Sequence, residues 1–300
     1  MFGRERQALQ TKSAKTGSRL VTLDVLVQKR STGQTVANLD KRFFSVYEDG
    51  VKQDIEDFGP RNAPASIVLL LDLSRSMDKV LSRIRDAAPS VWNQFEREDE
   101  VAIMTFAKNV EIVQPLTKDR QMLGERIRKI YTPTDDRDRG QTNMDEAIYQ
   151  AATYLGNSSS TGRHREVLVI SDGMSNQEHG HSRKEALRAL FACSGVVYSL
   201  ITTDAPYALL DNSLRDYVIE TGGQIATVEN LSLPYLHKIE IAEKLGALIN
   251  LLPGRYRLAY RPSNQKTDGK HRKIKVTVSS DAEKGLGKLV VLSRRGYYAE

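Results

Sequence analysis

Between residues 64 and 252 the chain alternates between short apolar runs and longer segments whose apolar residues recur every three or four positions. Short apolar runs are typical of buried strands, and the longer periodic segments are typical of amphipathic helices. The pattern predicts strands at 66–72, 100–106, 110–114, 166–171, 196–202 and 223–228. It predicts helices near 77–98, 118–130, 143–155, 182–193, 211–221 and 233–250. This alternation favours an α/β fold: a doubly wound, mostly parallel six-stranded sheet with helices on both faces.

Two positions depart from the regular alternation. Val110 follows the previous strand too closely for a helical crossover, so Lys108 and Asn109 predict a hairpin turn and one antiparallel edge strand. Pro89 falls inside the first helical segment. It predicts a kink or an early end there, because proline lacks a backbone donor and clashes with the preceding turn.

The two flanks follow a two-residue period, which is typical of half-buried strands. Before the α/β region the pattern predicts strands at 20–27, 43–48 and 51–58. After it the pattern predicts strands at 256–260, 273–278, 289–292 and 296–298. The dipeptide Asp49-Gly50 is the strongest short signal for a hairpin turn.

Neither flank has enough strands to bury a core alone, because an isolated hairpin is marginally stable in water. We therefore predict that the flanks pair into one small β-sandwich, with the α/β domain inserted between them. The predicted division is a flexible basic N-terminus at 1–18, a sandwich formed by 19–62 plus 253–300, and the inserted domain at 63–252.

Oxygen-bearing side chains cluster at one predicted edge of the α/β sheet. Asp72 ends an apolar strand, Ser74 and Ser76 follow it at two-residue spacing, Asp172 follows another strand, and Thr142 stands at a helix start. Open α/β sheets form their binding crevices beyond the carboxyl ends of the strands. Carboxylates and hydroxyls are hard ligands that suit Mg²⁺ or Mn²⁺, and Ca²⁺ is also compatible. The alternative is that these residues only cap helices and turns.

Asp72, Ser74, Ser76, Thr142 and Asp172 together resemble the metal-ion-dependent adhesion site (MIDAS) of the von Willebrand factor A (VWA) family. All five positions of that pattern are filled. The resemblance implies that the three hydroxyls contact the ion and that the two aspartates act directly or through water. It also implies an ion that accepts a carboxylate from a partner protein.

The flanks carry a narrower resemblance to the bacterial "VWFA-related" family. Its block F-x-V-x-E-D-G-x-x-Q-x-I is matched from Phe44 to Ile55, and segments 256–262 and 295–299 resemble its tail. Members often carry export signals, so the resemblance favours an extracytoplasmic location, periplasmic or secreted. Residues 1–19 lack the apolar segment of a secretory signal.

Further polar residues near the same sheet edge are candidates for a partner-binding rim: Arg75, Asp78, Asp138, Gln141, Asn143 and His179. In integrin-type domains an acidic pair at the position of Asp78 builds an adjacent Ca²⁺ site, but Lys79 follows here and disfavours a second ion. A zinc site at His179 and His181 is disfavoured, because no cysteine or third histidine is close in sequence.

The net charge of +6 is unevenly distributed: residues 1–19 carry +4, residues 254–300 carry +8, and the rest is about −6. Lys and Arg in the C-terminal flank alternate with apolar residues, which is typical of a solvated strand face. Nucleic acid is therefore a disfavoured partner, although binding of anions or nucleic acid by the basic flanks stays an alternative.

No run of 18 apolar residues occurs, so no transmembrane segment is predicted. The single Cys193 predicts a buried thiol.

No motif for catalysis is present. The sequence has no G-x-S-x-G elbow, no G-x-G-x-x-G and no phosphate-binding loop, and no nucleophile stands with a base. We therefore expect a non-enzymatic, metal-dependent protein-binding or adhesion module whose ion coordinates an exposed Asp or Glu of a protein partner. The alternative is a cytoplasmic VWA scaffold subunit that works with an AAA+ ATPase, which the sandwich flanks disfavour.

Overall fold

A computed structural model describes residues 20–131, 140–160, 162–176, 179–202, 212–228 and 234–300. The strands within these residues are β1 Val21–Lys29, β2 Phe44–Glu48, β3 Val51–Gln53, β4 Ile55–Pro60, β5 Ala65–Asp72, β6 Glu100–Phe106, β7 Val110–Thr117, β8 His164–Ser171, β9 Val196–Thr202, β10 Ile225–Val228, β11 Tyr256–Tyr260, β12 His271–Val278, β13 Leu289–Leu292 and β14 Gly296–Tyr298. The α-helices are α1 Asp78–Trp92, α2 Arg120–Arg128, α3 Met144–Asn157, α4 Arg183–Cys193, α5 Asn212–Thr221, α6 Pro234–Ile249 and α7 Ser280–Glu283. The predicted basic N-terminus at 1–18 lies outside the described residues.

A six-stranded sheet forms the centre of the α/β region, in the order β10-β9-β8-β5-β6-β7. Every neighbouring pair in it is parallel except β6 and β7, which are antiparallel. This confirms the predicted sheet and its antiparallel edge strand. Because β5 is buried on both faces along its whole length, it is apolar almost throughout.

Two hydrophobic cores cover the two faces of this sheet. Successive side chains of a strand point to opposite faces, so Leu69 and Leu71 pack with α1, α2 and α6, whereas Val68 and Leu70 pack with α3, α4 and α5. None of the described helices is both long and apolar enough to cross a membrane.

The flanks build two four-stranded antiparallel sheets, β13-β1-β11-β4 and β14-β12-β2-β3. Each sheet contains strands from both flanks, and both contribute to one core that includes Leu23 and Leu258 from the first sheet and Val46 and Val276 from the second. The α/β region is thus inserted into a sandwich, as the sequence predicts. At the predicted hairpin turn Asp49 and Gly50 both have positive φ, 47° and 84°, and glycine adopts such values without strain.

Two local predictions differ from the structure. The segment 51–58 is not one strand: β3 and β4 belong to different sheets, and the chain crosses between them at Asp54. A continuous apolar and polar alternation does not show at which residue the chain leaves one sheet for another, so the crossing at Asp54 was not predictable from this pattern. Helix α1 runs through Pro89 and ends at Trp92, six residues before the predicted end at 98.

Candidate functional site

The predicted site residues come together at the carboxyl edge of the central sheet. Strands β5 and β8 are parallel neighbours, with Leu71 opposite Ile170, so Asp72 and Asp172 leave the sheet side by side. A recess of about 390 Å³ opens there. It is lined by Ser74, Arg75, Ser76, Gly140, Thr142, Asp172, Met174, Ser175 and Asn176.

Asp72 is held beneath this recess by hydrogen bonds to both carboxylate oxygens. The backbone N–H of Ser74 donates to Oδ1 at 2.8 Å, and the hydroxyl of Ser171 donates to Oδ2 at 2.7 Å. The Ser171 hydroxyl also accepts from the backbone N–H of Gly173 at 3.0 Å. Ser171, which is not one of the five predicted ligands, therefore fixes the orientation of Asp72.

The two aspartates place negative charge in a dry environment. Asp72 is 1% exposed, and burial raises the pKa of its carboxyl to about 7. Hydrogen bonds from Ser171 and Ser74 oppose this shift, while the nearby charge of Asp172 adds to it. A cation in the recess would offset this electrostatic cost.

The two serines do not act as helix caps. The hydroxyl oxygens of Ser74 and Ser76 lie 3.1 Å apart and share a hydrogen bond. Ser74 precedes the short 3₁₀ turn Arg75–Met77 but makes no capping bond with its side chain, and the residue before α1 is Met77. The two aspartates do stabilise their own turns: Oδ1 of Asp72 accepts from the backbone N–H of Ser74 at 2.8 Å, and Oδ1 of Asp172 accepts from the backbone N–H of Met174 at 2.9 Å.

Thr142 is positioned by the loop that follows β8. The side chain of Asn176 accepts from the backbone N–H of Thr142 at 2.5 Å and donates to the carbonyl of Gly140 at 2.7 Å. The hydroxyl of Ser175 donates to the carbonyl of Thr142 at 3.1 Å. Ser175 and Asn176 were not among the predicted site residues. The available signal was a serine–asparagine pair that follows Asp172 by three and four residues.

The predicted rim residues are placed unevenly. Arg75 is exposed and lines the recess, and Asp78, Gln141 and His179 do not line it. Asn143 is buried at 4% exposure and is therefore not a rim residue. Its backbone N–H and its side-chain Nδ2 donate to the carbonyls of residues 107 and 108. Asp138 lies outside the described residues.

His181 belongs to another contact. Its Nδ1 lies 2.7 Å from Oε2 of Glu146, and its ring stacks on Tyr149 with a centroid separation of 3.4 Å. His181 therefore joins the loop after β8 to helix α3. This contact occupies a histidine that could otherwise line a partner groove.

The donors around the recess suit a hard divalent cation. Two carboxylates and three hydroxyls offer only oxygen, the donor type that Mg²⁺ prefers. Among the described residues no group of three or more His, Cys, Asp or Glu side chains could hold a metal ion. An ion in this recess would therefore depend on the hydroxyls of Ser74, Ser76 and Thr142 as well as on the two aspartates.

Comparison with known proteins agrees with this fold. Residues 67–175 match the family described as von Willebrand factor type A domain. An uncharacterized protein of Borreliella burgdorferi is 23% identical over 227 residues, which is 73% of this chain. The chain spans 63% of the length of that relative.

A solved structure gives a similar result. Proximal thread matrix protein 1 from the mussel byssus superposes with a TM-score of 0.51 at 16% identity. The superposition covers 65% of this chain and 49% of the mussel protein. At this level of identity the likeness concerns the fold alone.

Proposed function

Residues 67–175 form a von Willebrand factor type A domain, and we propose that the chain is a non-enzymatic, metal-dependent protein-binding module. One observation carries the proposal: Ser74, Ser76, Thr142 and Asp172 line one recess, with Asp72 buried beneath it at a pKa raised by burial to about 7. Asp172 lines the recess and Asp72 lies beneath it, and two neighbouring carboxylates favour a cation.

In this proposal Asp72, Ser74, Ser76, Thr142 and Asp172 hold Mg²⁺, with Mn²⁺ or Ca²⁺ as possible substitutes. When bound, the ion supplies a Lewis-acidic position that accepts an Asp or Glu carboxylate of a protein partner. The chain's own residues orient the ligands. Ser171 fixes Asp72, and the loop after β8 fixes Thr142. VWA domains often mediate metal-dependent protein interactions, which supports this class of function.

The other candidate functions lack a supporting observation. A catalytic role would need an accessible nucleophile beside a base, and the hydroxyl that pairs with Asp72, that of Ser171, is buried and does not line the recess. In the described part of the C-terminal flank, Lys273 and Lys275 are exposed and alternate with Ile274 and Val276 of the sandwich core. This arrangement is that of a solvated strand face.

Isothermal titration calorimetry tests the metal site. We expect Mg²⁺ and Mn²⁺ to bind the wild-type protein and the Asp72→Ala variant to bind at least about 10-fold more weakly, because a carboxylate that holds the ion, directly or through water, is lost. Asp86→Ala, which removes an exposed carboxylate from α1, is the matched control and should bind like wild type. Equal binding by wild type and Asp72→Ala would refute the proposal.

A second prediction concerns the bridge between the two loops. Asn176→Ala removes the acceptor for the Thr142 N–H and the donor to the Gly140 carbonyl, so Thr142 loses its fixed position. We expect Mg²⁺ affinity to fall about 10- to 100-fold, as for other residues that orient metal ligands. The same titration measures it, with Asn264→Ala in an exposed sandwich loop as control. An unchanged dissociation constant for Asn176→Ala would show that the bridge does not position Thr142.

A further inference from the structure

A groove of about 450 Å³ lies between the hairpin of β6 and β7 and the end of α2. We propose that this groove, here called the hairpin groove, binds an apolar side chain of the same acidic protein segment whose carboxylate reaches the metal site. The inference rests on the proposed function and adds the kind of partner that the site selects.

The hairpin groove lies beside the proposed metal site, and the two are lined by residues that adjoin in sequence. Leu73, which lines the groove, stands between Asp72 and Ser74, and its backbone N–H donates to the carbonyl of Phe106 at 2.8 Å. On the other side, the N–H of Asn143, next to Thr142, donates to the carbonyl of residue 107 at 2.9 Å. One extended segment of a partner can therefore contact the site and the groove together.

The groove has the chemistry of a side-chain pocket. Its apolar lining includes the side chains of Leu73, Val113 and Ile130, which belong to or pack against the same core on one face of the sheet. Tyr131 forms part of its wall and is 73% exposed, with the guanidinium of Arg85 5.8 Å from the centroid of its ring. Pockets that bind ligands are concave and mostly apolar with a few polar groups, and the volume lies within their usual range.

The charge around the groove selects an acidic partner. Among the described residues that line the groove, Lys108, Lys129 and Glu111 carry charge and are exposed, and Arg75 lines the neighbouring recess. A partner with negative charge beside its apolar residue would complement this rim, and complementary charge favours both encounter and register. The expected ligand is an acidic segment that carries an aliphatic or aromatic side chain near the Asp or Glu that reaches the ion.

The added contact should be measurable. Burial of one large apolar side chain corresponds to about a 10- to 100-fold gain in affinity. Once the carboxylate of the ligand is bound at the metal site, the apolar side chain of the same ligand is held close to the groove. Its binding to the groove is then an intramolecular step.

Selection from a random 12-residue peptide library displayed on phage tests the inference. The library is bound to the immobilised full chain in Mg²⁺ and eluted with EDTA. We expect the eluted peptides to carry an Asp or Glu and, at a fixed spacing from it, an aromatic or aliphatic residue. The groove variant Lys129→Glu/Tyr131→Ala should select the acidic residue without the apolar one. The control Val51→Ala/Lys266→Glu, on exposed positions of the sandwich, should select both.

The outcomes distinguish failure of the inference about the hairpin groove from failure of the proposed function. Enrichment of the acid with no apolar residue at a fixed spacing, or the same apolar preference in the groove variant, overturns the inference and leaves the metal site in place. No enrichment of acidic peptides by EDTA elution contradicts the proposed function itself, and the inference falls with it.

Discussion

Replacing Arg61 with methionine is expected to lower the free energy of unfolding by about 3–5 kcal/mol. Arg61 lies on the link between β4 and β5, and its side chain is only 2% exposed. Its Nη2 pairs with Glu166, and its Nη1 donates to the carbonyl of Leu252 at 3.0 Å. Since Leu252 lies on the link between α6 and β11, one side chain joins both chain crossings between the inserted domain and the sandwich.

The expected loss comes from the charges that Arg61 would leave behind. Glu166 is 1% exposed, and burial raises its pKa despite the attraction of Arg61 and Arg255. Asp24, 4.0 Å from Arg61, behaves differently: although burial opposes it, the hydrogen bond with His164 and the charge of Arg61 lower its pKa to about 2. A buried carboxylate that loses its cation must be protonated or remain uncompensated, and either outcome costs free energy.

Urea denaturation followed by circular dichroism measures this effect. The matched control is Arg257→Met, which removes an arginine paired with Asp57 at the surface, where both side chains are about half exposed. That pair should contribute only about 0–1 kcal/mol. The double variant Arg61→Met/Glu166→Met should recover about half of the loss or more, because the stranded charge is removed with its partner. If Arg61→Met and Arg257→Met cost the same, the buried pair does not hold the junction.

Features that a local sequence pattern determines were predicted correctly. Features that depend on contacts between residues far apart in sequence were not predicted. Strand β5 and the position of Asp72 at its end followed from one apolar run, because a strand buried on both faces excludes polar residues until it leaves the sheet. Arg61, Glu166 and Leu252 are far apart in sequence, and their charges and carbonyls pair only after the sandwich closes on the inserted domain. The sequence shows each of them separately and carries no sign of the pairing.

The same distinction applies to the candidate site, where the ligands were predicted and the contacts between loops were not. Five candidate ligands were predicted because the family pattern fixes their residue types and order. The bridge from Asn176 to Thr142 spans 34 residues and depends on how two loops approach each other, so no spacing rule predicts it. Asn143 was placed on the rim because it follows Thr142, but its amide turns inward to the carbonyl of Lys108. Neighbours in a loop point in different directions, which the sequence alone does not show.

Asp72→Asn is expected to stabilise the metal-free protein above pH 7 while it abolishes Mg²⁺ binding. In the folded chain burial raises the pKa of Asp72 to about 7, from 3.8 for an unburied aspartate. The folded state therefore binds the proton more tightly than the unfolded state. The contribution of Asp72 to stability is fully present below about pH 3.8 and is lost as the pH rises through 7.

This difference between the folded and unfolded pKa corresponds to about 4 kcal/mol at most, reached above pH 7. Asparagine keeps the shape and carries no charge at any pH, so the variant should not lose this free energy between pH 5 and pH 8. Stability curves in urea at pH 5, 6, 7 and 8, with EDTA present, measure the effect. Asp86→Asn, an exposed aspartate on α1, serves as the control and should follow wild type.

The same proton competes with the metal ion. Binding of Mg²⁺ to Asp72 requires the carboxylate, so wild-type affinity should rise by up to about tenfold per pH unit from pH 5 to pH 7 and then level off. Saturating Mg²⁺ should also restore the stability that the metal-free wild type has lost at pH 7 and above, because the ion binds only the folded state. A metal-free wild type as stable as Asp72→Asn at pH 8 would show that Asp72 is not destabilised by its burial. In that case the proposed site would not lower the stability of the metal-free protein, whereas a buried carboxylate beside Asp172 is expected to lower it.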